Sequence, residues 1–324
     1  MATDKITGHI NAGRFTSMIR KKGFFYELNK NKLLFLMIAP TLIFFFINSY
    51  VPMVGIYFAF TRFDFNGGLF GSPFVGLANF EFLWKSGVLW TLTRNTVAYN
   101  LAFIVFLNAT AIFCAILLSE MTGKFFKKLT QSVMFLPYFI SFVLLNAIAY
   151  NMFNYDTGFV NTTLKSWGSN PVDIYNTPSS WVFLLIMFYV WKNVGYTMVI
   201  YLATITGISD EYYEAATIDG ANIFQRIWYI TIPMLKPTFI ILLLFALGSI
   251  MKGQFDLFYQ LIGNNGILYN ATDILDTYVF RSLKVTFDIG MATSAGLFQS
   301  IFGFVLIMTV NYLIKKSNDE YALF

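Results

Sequence analysis

Six long apolar runs constrain this chain more than any other feature of its sequence. A transmembrane helix needs about 20 apolar residues to cross a hydrocarbon core about 30 Å thick. Each run meets that length and is continuous, unlike the alternating segments of about ten residues that build closed barrels. The sequence therefore predicts an all-α membrane protein with six transmembrane helices. The predicted spans lie near residues 33–60, 96–118, 133–153, 181–204, 239–262 and 291–314.

The composition supports the same class. Of the 324 residues, 57% are hydrophobic and 12% are charged, whereas about a quarter of an ordinary soluble domain is charged. The single cysteine, Cys114, lies inside the second apolar run, so the sequence indicates neither a disulfide framework nor a thiolate metal site. We therefore expect one membrane-embedded bundle rather than two soluble domains.

The predicted organisation is a polar, basic leader at 1–32, a transmembrane domain at 33–314 and a tail at 315–324. A secretory leader would be shorter and would end in a small-residue cleavage site, so the first run is predicted to be a retained signal-anchor helix. Residues 205–238 form a polar segment inside the transmembrane domain.

The distribution of lysine and arginine predicts the orientation, because cytoplasmic segments of membrane proteins are enriched in both. With the N-terminus inside, the inner segments carry 14 of the 22 basic residues and the outer segments carry 6, while Lys192 and Lys252 lie within predicted spans. Both termini and residues 205–238 are therefore predicted to be cytoplasmic. The net charge of +5 then anchors the inner surface to anionic lipid, and we expect no nucleic-acid partner.

The inner segment 205–238 is predicted to fold as a helix-turn-helix on the membrane surface. Glu214-Ala215-Ala216 favours helix, and Gly220 is typical of the left-handed residue that ends one. Asn222 is a good N-cap for a second helix, and Pro233 would end that helix or start the next span. A membrane protein that keeps an ordered segment of this size in water usually docks it against a soluble partner.

The sequence lacks the common catalytic motifs. It contains no Gly-x-x-x-x-Gly-Lys phosphate loop, no His-Glu-x-x-His pair and no Gly-x-Ser-x-Gly elbow. Its one histidine, His9, lies in the polar leader. The chain is therefore predicted not to be an enzyme, and active transport through it would draw energy from a partner or an ion gradient.

The segment Glu214-Ala215-Ala216-(x)3-Gly220-(x)9-Ile230-x-Ile232-Pro233 resembles the EAA signature of permease subunits in bacterial ATP-binding-cassette importers. The usual signature ends Ile-x-Leu-Pro, and Ile232 replaces the leucine. Residues 75–80 and 94–96 resemble the sugar-importer branch. Residues 270–281 are similar to permeases of the polysaccharide or complex-oligosaccharide subgroup. Together these matches cover most of residues 30–314.

The resemblance implies a six-helix type I importer permease with a MetI-like core, a multi-pass protein of the bacterial cell membrane. It implies a second, homologous permease subunit in a heterodimer, two cytoplasmic ATPase subunits, an extracellular solute-binding protein and an oligosaccharide substrate. ATP and magnesium would bind to the ATPase subunits, so this chain itself is expected to hold no cofactor and no metal.

Under this resemblance the EAA segment is the coupling helix that docks in a cleft on the ATPase. Glu214 would pair with a basic residue of the ATPase or cap local backbone donors, and Gly220 would permit the turn. An amphipathic surface helix without a partner is the alternative. The predicted ATPase-coupling residues are Glu214, Ala215, Ala216, Asp219, Gly220, Ala221, Ile230 and Pro233.

Polar residues inside the predicted spans are candidates for a substrate path, because charged groups are costly in a bilayer. Lys192 and Asn193 would interrupt the fourth span. Lys252 and Asp256 lie four residues apart and would meet on one face of the fifth span, as a structural ion pair or as a cavity lining. The candidates are Lys192, Asn193, Tyr196, Lys252, Gln254, Asp256, Tyr259, Gln299 and Asn146.

Lys192 and Lys252 also indicate an acidic, uronate-containing oligosaccharide, because two cations near the midplane would offset carboxylates; the alternative is that Asp256 neutralises one of them. A type I importer for another small solute and a gradient-driven secondary transporter stay open as rivals. The second rival would require paired broken helices and a carboxylate relay, and only Asp256 lies deep in a predicted span.

Overall fold

The structure is a computed structural model, and it describes residues 24–317. That range is helical and contains no strand, only an isolated bridge between Thr61 and Phe74. Most of the predicted leader and tail lies outside the described residues. The α-helices are α1 (Phe24–Lys30), α2 (Lys32–Phe45), α3 (Gly68–Gly71), α4 (Ala78–Lys85), α5 (Val88–Ser119), α6 (Lys124–Phe135), α7 (Phe142–Phe153), α8 (Phe159–Ser166), α9 (Pro178–Thr206), α10 (Asp210–Ile218), α11 (Ile223–Arg226), α12 (Ile232–Gly248), α13 (Phe255–Ile262), α14 (Tyr269–Thr272), α15 (Leu275–Lys284) and α16 (Ile289–Ser317).

Five helical stretches and one bent pair are long and apolar enough to cross a membrane. The prediction of an all-α membrane protein is confirmed, with six spans when the bent pair is counted as one. The spans are Lys32–Phe60, Val88–Ser119, Lys124–Phe139 with Phe142–Phe153, Pro178–Thr206, Ile223–Gly248 and Ile289–Lys316.

The third span is broken, so the prediction of one continuous helix over 133–153 is wrong. α6 passes into a 3₁₀ turn at Leu136–Phe139, and α7 then leaves at 98°. Pro137 lies at the start of the turn, where its missing N–H interrupts the helical ladder. Ser141 begins α7 as its N-cap, accepting the N–H of Leu144 at 3.2 Å.

The fifth predicted span, 239–262, has the wrong bounds. The helix begins earlier, at Ile223, and ends at Gly248. Residues 249–254 are not helical, and α13 is a separate helix. Lys252 therefore lies in a break and Asp256 lies on α13, so the predicted meeting of the two on one helix face is also wrong.

The other spans agree more closely with prediction. The second begins at Val88, eight residues before the predicted start at 96, because residues 88–95 contain neither proline nor glycine to stop the helix. The fourth, α9, runs without interruption from Pro178 to Thr206, so Lys192 and Asn193 do not interrupt it.

The chain divides into two compact units, with the boundary after Val54. In the first unit, α2 buries none of its side chains. A helix that is apolar all round belongs in lipid or against another protein.

In the second unit, α5 packs along α9. Ala111 and Ala115 of α5 are fully buried in a cluster with Met198 and Tyr201 of α9, and their small size permits this close approach. The hydroxyl of Tyr201 donates to Asn108 at 2.6 Å. This packing joins α9, the helix that leads into the polar inner segment, to α5.

Candidate functional site

The polar inner segment folds as the predicted helix-turn-helix, and we call residues 209–231 the inner hairpin. Its first helix, α10, begins at Ser209, whose side chain accepts the N–H of Glu211 at 3.4 Å. Asp210 and Glu211 lie in the first turn, where carboxylates interact favourably with the helix dipole.

A glycine ends α10, as predicted. Gly220 has a φ of 78°, which an L-residue with a side chain rarely adopts. Its N–H donates to Thr217 O at 3.1 Å, and the N–H of Ala221 donates to Ala216 O at 2.9 Å. This pair of bonds is the Schellman arrangement that satisfies the last carbonyl groups of a helix.

Asn222 caps the second helix, also as predicted. Its side chain accepts the N–H of Gln225 at 2.9 Å, and the Gln225 side chain accepts the N–H of Asn222 at 2.8 Å. This reciprocal capping box starts α11, which continues through a π-turn at Ile227–Thr231 into α12. Local hydrogen bonds therefore define both ends of α10 and the start of α11.

Polar contacts join the two arms of the inner hairpin. Tyr213 and Thr231 share a hydroxyl hydrogen bond of 3.0 Å, and Arg226 reaches the hydroxyl of Thr217 at 3.5 Å. A depression of about 530 Å³ lies between the arms. It is lined by Asp210, Tyr213, Glu214, Thr217, Ile218 and Arg226.

Most predicted coupling residues lie on the surface of this hairpin. Glu214, Ala215, Asp219, Gly220 and Pro233 are exposed, and Ala216, Ala221 and Ile230 are half-buried. Within residues 24–317, no lysine or arginine nitrogen lies within 4.0 Å of the Glu214 carboxylate. Ser209 forms the N-cap, so Glu214 does not fill the capping role considered for it.

Two exposed apolar residues of the hairpin were not predicted as coupling residues. The side chain of Ile218 is 87% exposed and that of Phe224 is 78% exposed. Both flank the turn at Gly220. Sequence reasoning missed them because an isolated apolar residue carries no motif, although its place beside a helix stop is a usable signal.

Lys192 is buried against the break in the third span. Its ammonium donates hydrogen bonds to the carbonyl oxygens of Tyr138, at 2.8 Å, and Ile140. Only 7% of the residue is exposed. The structure therefore places this cation on protein carbonyls.

An aromatic pair lies beside Lys192. The rings of Tyr138 and Tyr196 are stacked, with centroids 4.9 Å apart and an interplanar angle of 14°. Tyr138 is 38% exposed and Tyr196 is 47% exposed. Sequence reasoning selected Tyr196 and missed Tyr138, because nothing local to Tyr138 reveals that the third span breaks there.

The remaining candidates near this break have local roles. Asn193 donates to the carbonyl oxygen of Tyr189, one turn back in α9, at 2.8 Å. Asn146 is half-buried on α7.

The break in the fifth span carries the other candidates. Lys252 and Asp256 are exposed, and Gln254 is half-buried. Tyr259 stacks on Phe255, with centroids 5.2 Å apart, and meets Phe280 of α15 at 4.8 Å. The structure therefore gathers polar and aromatic side chains at this break.

Gln299 has a structural role at the same break. Its amide donates to Met251 O at 2.6 Å and to the carboxylate of Asp276 at 3.1 Å. Asp276 also accepts the N–H of Gly253 at 2.6 Å. Burial raises the pKa of Asp276, although the bonds from Gly253 and Gln299 and the charge of Lys252 act in the opposite direction. Sequence reasoning missed Asp276 because its partners lie 23 residues away on either side.

The residues that the structure describes form a multi-pass membrane protein with an inner hairpin and two interrupted spans. Residues 108–318 match the family described as binding-protein-dependent transport system inner membrane component. The chain belongs to that family.

Relatives match nearly the whole chain. The polygalacturonan/rhamnogalacturonan transport system permease protein YteP of Bacillus subtilis (strain 168) is 30% identical, over 93% of each chain. Protein LplB of the same strain is also 30% identical, over 90% of this chain and 92% of LplB.

A solved structure matches the fold. A chain of a bacterial ATP-binding-cassette transporter involved in the import of the acidic polysaccharide alginate has a TM-score of 0.82 and 28% identity. The match covers 91% of this chain and 99% of that one. A second structure, with a TM-score of 0.81, shows the bacterial alginate transporter in complex with an alginate pentasaccharide-bound periplasmic protein. The predicted type I importer permease fold is confirmed.

Proposed function

We propose that this chain is one permease subunit of an ATP-driven importer that passes oligosaccharides from an extracellular solute-binding protein into the cytoplasm. A second homologous permease would complete the pathway, and two ATPase subunits would bind ATP and magnesium. The inner hairpin and both termini would lie in the cytoplasm.

The observation that carries this proposal is the inner hairpin. It lies between two spans, is capped at both ends of α10 and presents an uncovered surface around Glu214 and Ile218. A segment that is ordered by its own hydrogen bonds can be displaced by a bound partner, and can move the adjoining spans, without unfolding. The unpaired Glu214 carboxylate offers an ionic contact, and Ile218 and Phe224 offer apolar contacts.

The sugar assignment rests on relatives and on the two breaks. Polygalacturonan, rhamnogalacturonan and alginate transporters are among the similar proteins. In this chain, Tyr138–Tyr196 and Phe255–Tyr259 present stacked, partly exposed rings. Flat aromatic faces suit the apolar faces of sugar rings, and exposed polar groups beside them suit hydroxyl groups.

We further propose an acidic, uronate-containing oligosaccharide. Lys252 supports this, because it is exposed at the fifth-span break and no carboxylate of residues 24–317 lies within 4.0 Å of its ammonium group. Lys192 does not contribute a second free cation, since it is bonded to Tyr138 and Ile140.

Docking of the ATPase is tested on the inner hairpin. Glu214→Arg reverses an exposed charge, and Gly220→Pro removes the left-handed helix stop. We expect each to lower co-purification of the ATPase and uptake by about tenfold or more, as loss of a central interface residue does. Copy number of the permease in the membrane should stay unchanged.

Matched controls lie on the outer side of the chain. Asp156→Arg reverses another exposed carboxylate that forms no ion pair within residues 24–317, and Gly168→Pro alters another left-handed glycine that follows a helix. Both should retain the ATPase. Normal ATPase recovery with Glu214→Arg and Gly220→Pro would overturn the docking role.

The substrate is tested with the reconstituted importer and its cognate binding protein. Uptake of uronate oligosaccharides should exceed uptake of neutral ones of equal length. Lys252→Gln should lower uronate uptake by about tenfold, the scale of one charge-assisted contact, and leave neutral uptake unchanged. A clear preference of the unmodified importer for neutral oligosaccharides would defeat the acidic assignment.

A further inference from the structure

Three residues on one face of α9 contact the break in the third span. Gly195 and Tyr196 follow Lys192 by three and four positions, so each is a neighbour of Lys192 on the helix surface. Each makes a different kind of contact with the third span: a hydrogen-bonded cation, a close backbone approach and a ring stack. We call these three residues the α9 clamp.

The cation of the clamp replaces donors that the break removes. Where a helix stops, its last carbonyl groups lose their intrahelical N–H partners. The Lys192 ammonium donates to two carbonyls of the break, those of Tyr138 and Ile140. The ring of Phe142, at the start of α7, lies 5.0 Å from the same ammonium group and adds a cation–π contact.

No carboxylate neutralises Lys192. Within residues 24–317, the two ion pairs are Lys85–Glu81 and Arg281–Asp273. A buried charge is costly unless hydrogen bonds compensate for it, and at Lys192 that compensation comes from the break itself. The charge is therefore stabilised only while the break keeps its present shape.

Gly195 allows the backbone of α9 to lie close to the backbone of α6. A Cβ atom at this position would lie 2.6 Å from the Cα of Phe135 and closer still to the carbonyl oxygen of Met134. Tyr196, the next residue, places its ring on Tyr138. The clamp thus holds Tyr138 in two ways. Its carbonyl oxygen is bonded to Lys192, and its ring is stacked on Tyr196.

We propose that Lys192 is a positioning residue for the substrate path: its ammonium holds the third-span break so that the Tyr138 and Tyr196 rings form one stacking surface for a sugar ring. The inference rests on the proposed oligosaccharide path. Lys192 should therefore matter equally for neutral and for acidic oligosaccharides, because it acts through Tyr138 and not by pairing with a charge on the substrate.

The test compares variants in the complete reconstituted importer with its cognate binding protein. Lys192→Met keeps the apolar stem and removes the donors, whereas Lys192→Arg keeps donors. We expect Lys192→Met to lower the maximal uptake rate by about tenfold, since a small misplacement of a positioned group costs at least that much. Lys192→Arg should recover most of the rate. Neutral and uronate oligosaccharides should be affected equally.

A double substitution separates positioning from direct contact. In a Tyr138→Ala background, Lys192→Met should lower uptake by less than about twofold further, because two residues that act through one contact are not additive. Multiplicative losses would overturn the inference, as would a loss confined to uronate substrates. Asn151→Leu is the matched control, since Asn151 is exposed and bonds only within α7, to Ala147; it should transport normally.

Hydrogen exchange gives a readout that is independent of transport. In the purified importer, Lys192→Met should speed amide exchange over residues 136–145 by about tenfold, as expected when local opening becomes easier. Exchange in α5 should not change. If the unmodified importer takes up no oligosaccharide, the proposed function fails while this measurement still tests the clamp. Unchanged exchange over residues 136–145 would overturn the clamp itself.

Discussion

The two broken spans of this protein are held in different ways. The third-span break is hydrogen-bonded by a side chain of a single helix, α9, through Lys192. Its other contacts, including those of Ile140 and Phe142 with a cluster that contains residues of α5 and α13, are apolar. The fifth-span break is fixed from three helices at once. Asn100 of α5 donates to the carbonyls of Ile250 and Lys252 at 3.0 and 3.3 Å. Gln299 of α16 donates to the carbonyl of Met251. Asp276 of α15 accepts the N–H of Gly253.

The difference indicates how each break can move. Apolar contacts can slide, whereas hydrogen bonds must break, so the third-span break can be displaced together with α9, the helix that bonds it. A break attached to three helices moves only if all three move or its bonds are lost. We therefore expect the third break to follow the inner hairpin and the fifth break to act as a fixed wall.

Gly195→Ala should have the largest effect and should release the third break alone. The added methyl group overlaps the backbone of Met134, so we expect a cost of about 3 kcal/mol in the free energy of unfolding, at the upper end of overpacking effects. Thermal unfolding of the purified protein measures this. Gly296→Ala is the control, because nothing outside its own stretch of α16 lies within 4 Å of its Cβ position. It should not destabilise the protein and should stabilise it by up to about 1 kcal/mol, since alanine is the better helix former. Equal tolerance of both variants would contradict the close packing of α9 on the third span.

Asn100→Leu should have an intermediate effect and should act on the fifth break alone. Asn100 is 8% exposed, and its loss leaves carbonyls of the break without a donor, at a cost of about 2 kcal/mol. Asn151→Leu, an exposed asparagine that bonds within its own helix, should change stability by less than about 0.5 kcal/mol. Faster hydrogen exchange at residues 136–145 in Asn100→Leu would show that the breaks are not independent.

Titration of Asp276 should have the smallest effect. Its pKa is raised in the folded chain by burial, so the protonated form is favoured by folding. The stability it contributes is fully present below the ordinary value of 3.8 and is lost as pH rises through the raised value. Asp276→Asn should flatten the pH dependence of thermal unfolding in this range. A pH profile identical to that of the unmodified protein would show that Asp276 does not titrate there.

Much of the inner hairpin could be predicted from sequence because its structure is local. The Gly220 stop and the Asn222 cap use partners within five residues along the chain. Local hydrogen bonds of this kind leave a clear signal in residue type and spacing. The number of spans and their helical structure could also be predicted from sequence, since the length of a span depends on bilayer thickness.

The breaks could not be predicted in the same way. Lys192 bonds to carbonyls more than 50 residues away, and Asn100 bonds to a carbonyl 150 residues away. An apolar run has no periodicity that reveals where a neighbouring helix supplies donors. As a result, Lys192 was expected to interrupt its own helix, whereas its hydrogen bonds support a break in another one.

α9 is one uninterrupted helix, with the clamp near its middle and the inner hairpin beyond its C-terminal end. From Lys192 to Thr206 the helix rises by about 21 Å at 1.5 Å per residue. A tilt of α9 by about 5° about its inner end would therefore shift Lys192 sideways by about 2 Å. Because the third-span break is bonded to α9, the same displacement would carry the Tyr138 and Tyr196 rings with it. If the inner hairpin docks an ATPase as proposed, α9 would act as a lever arm that converts a small rotation at the hairpin into a shift of this aromatic surface by about 2 Å.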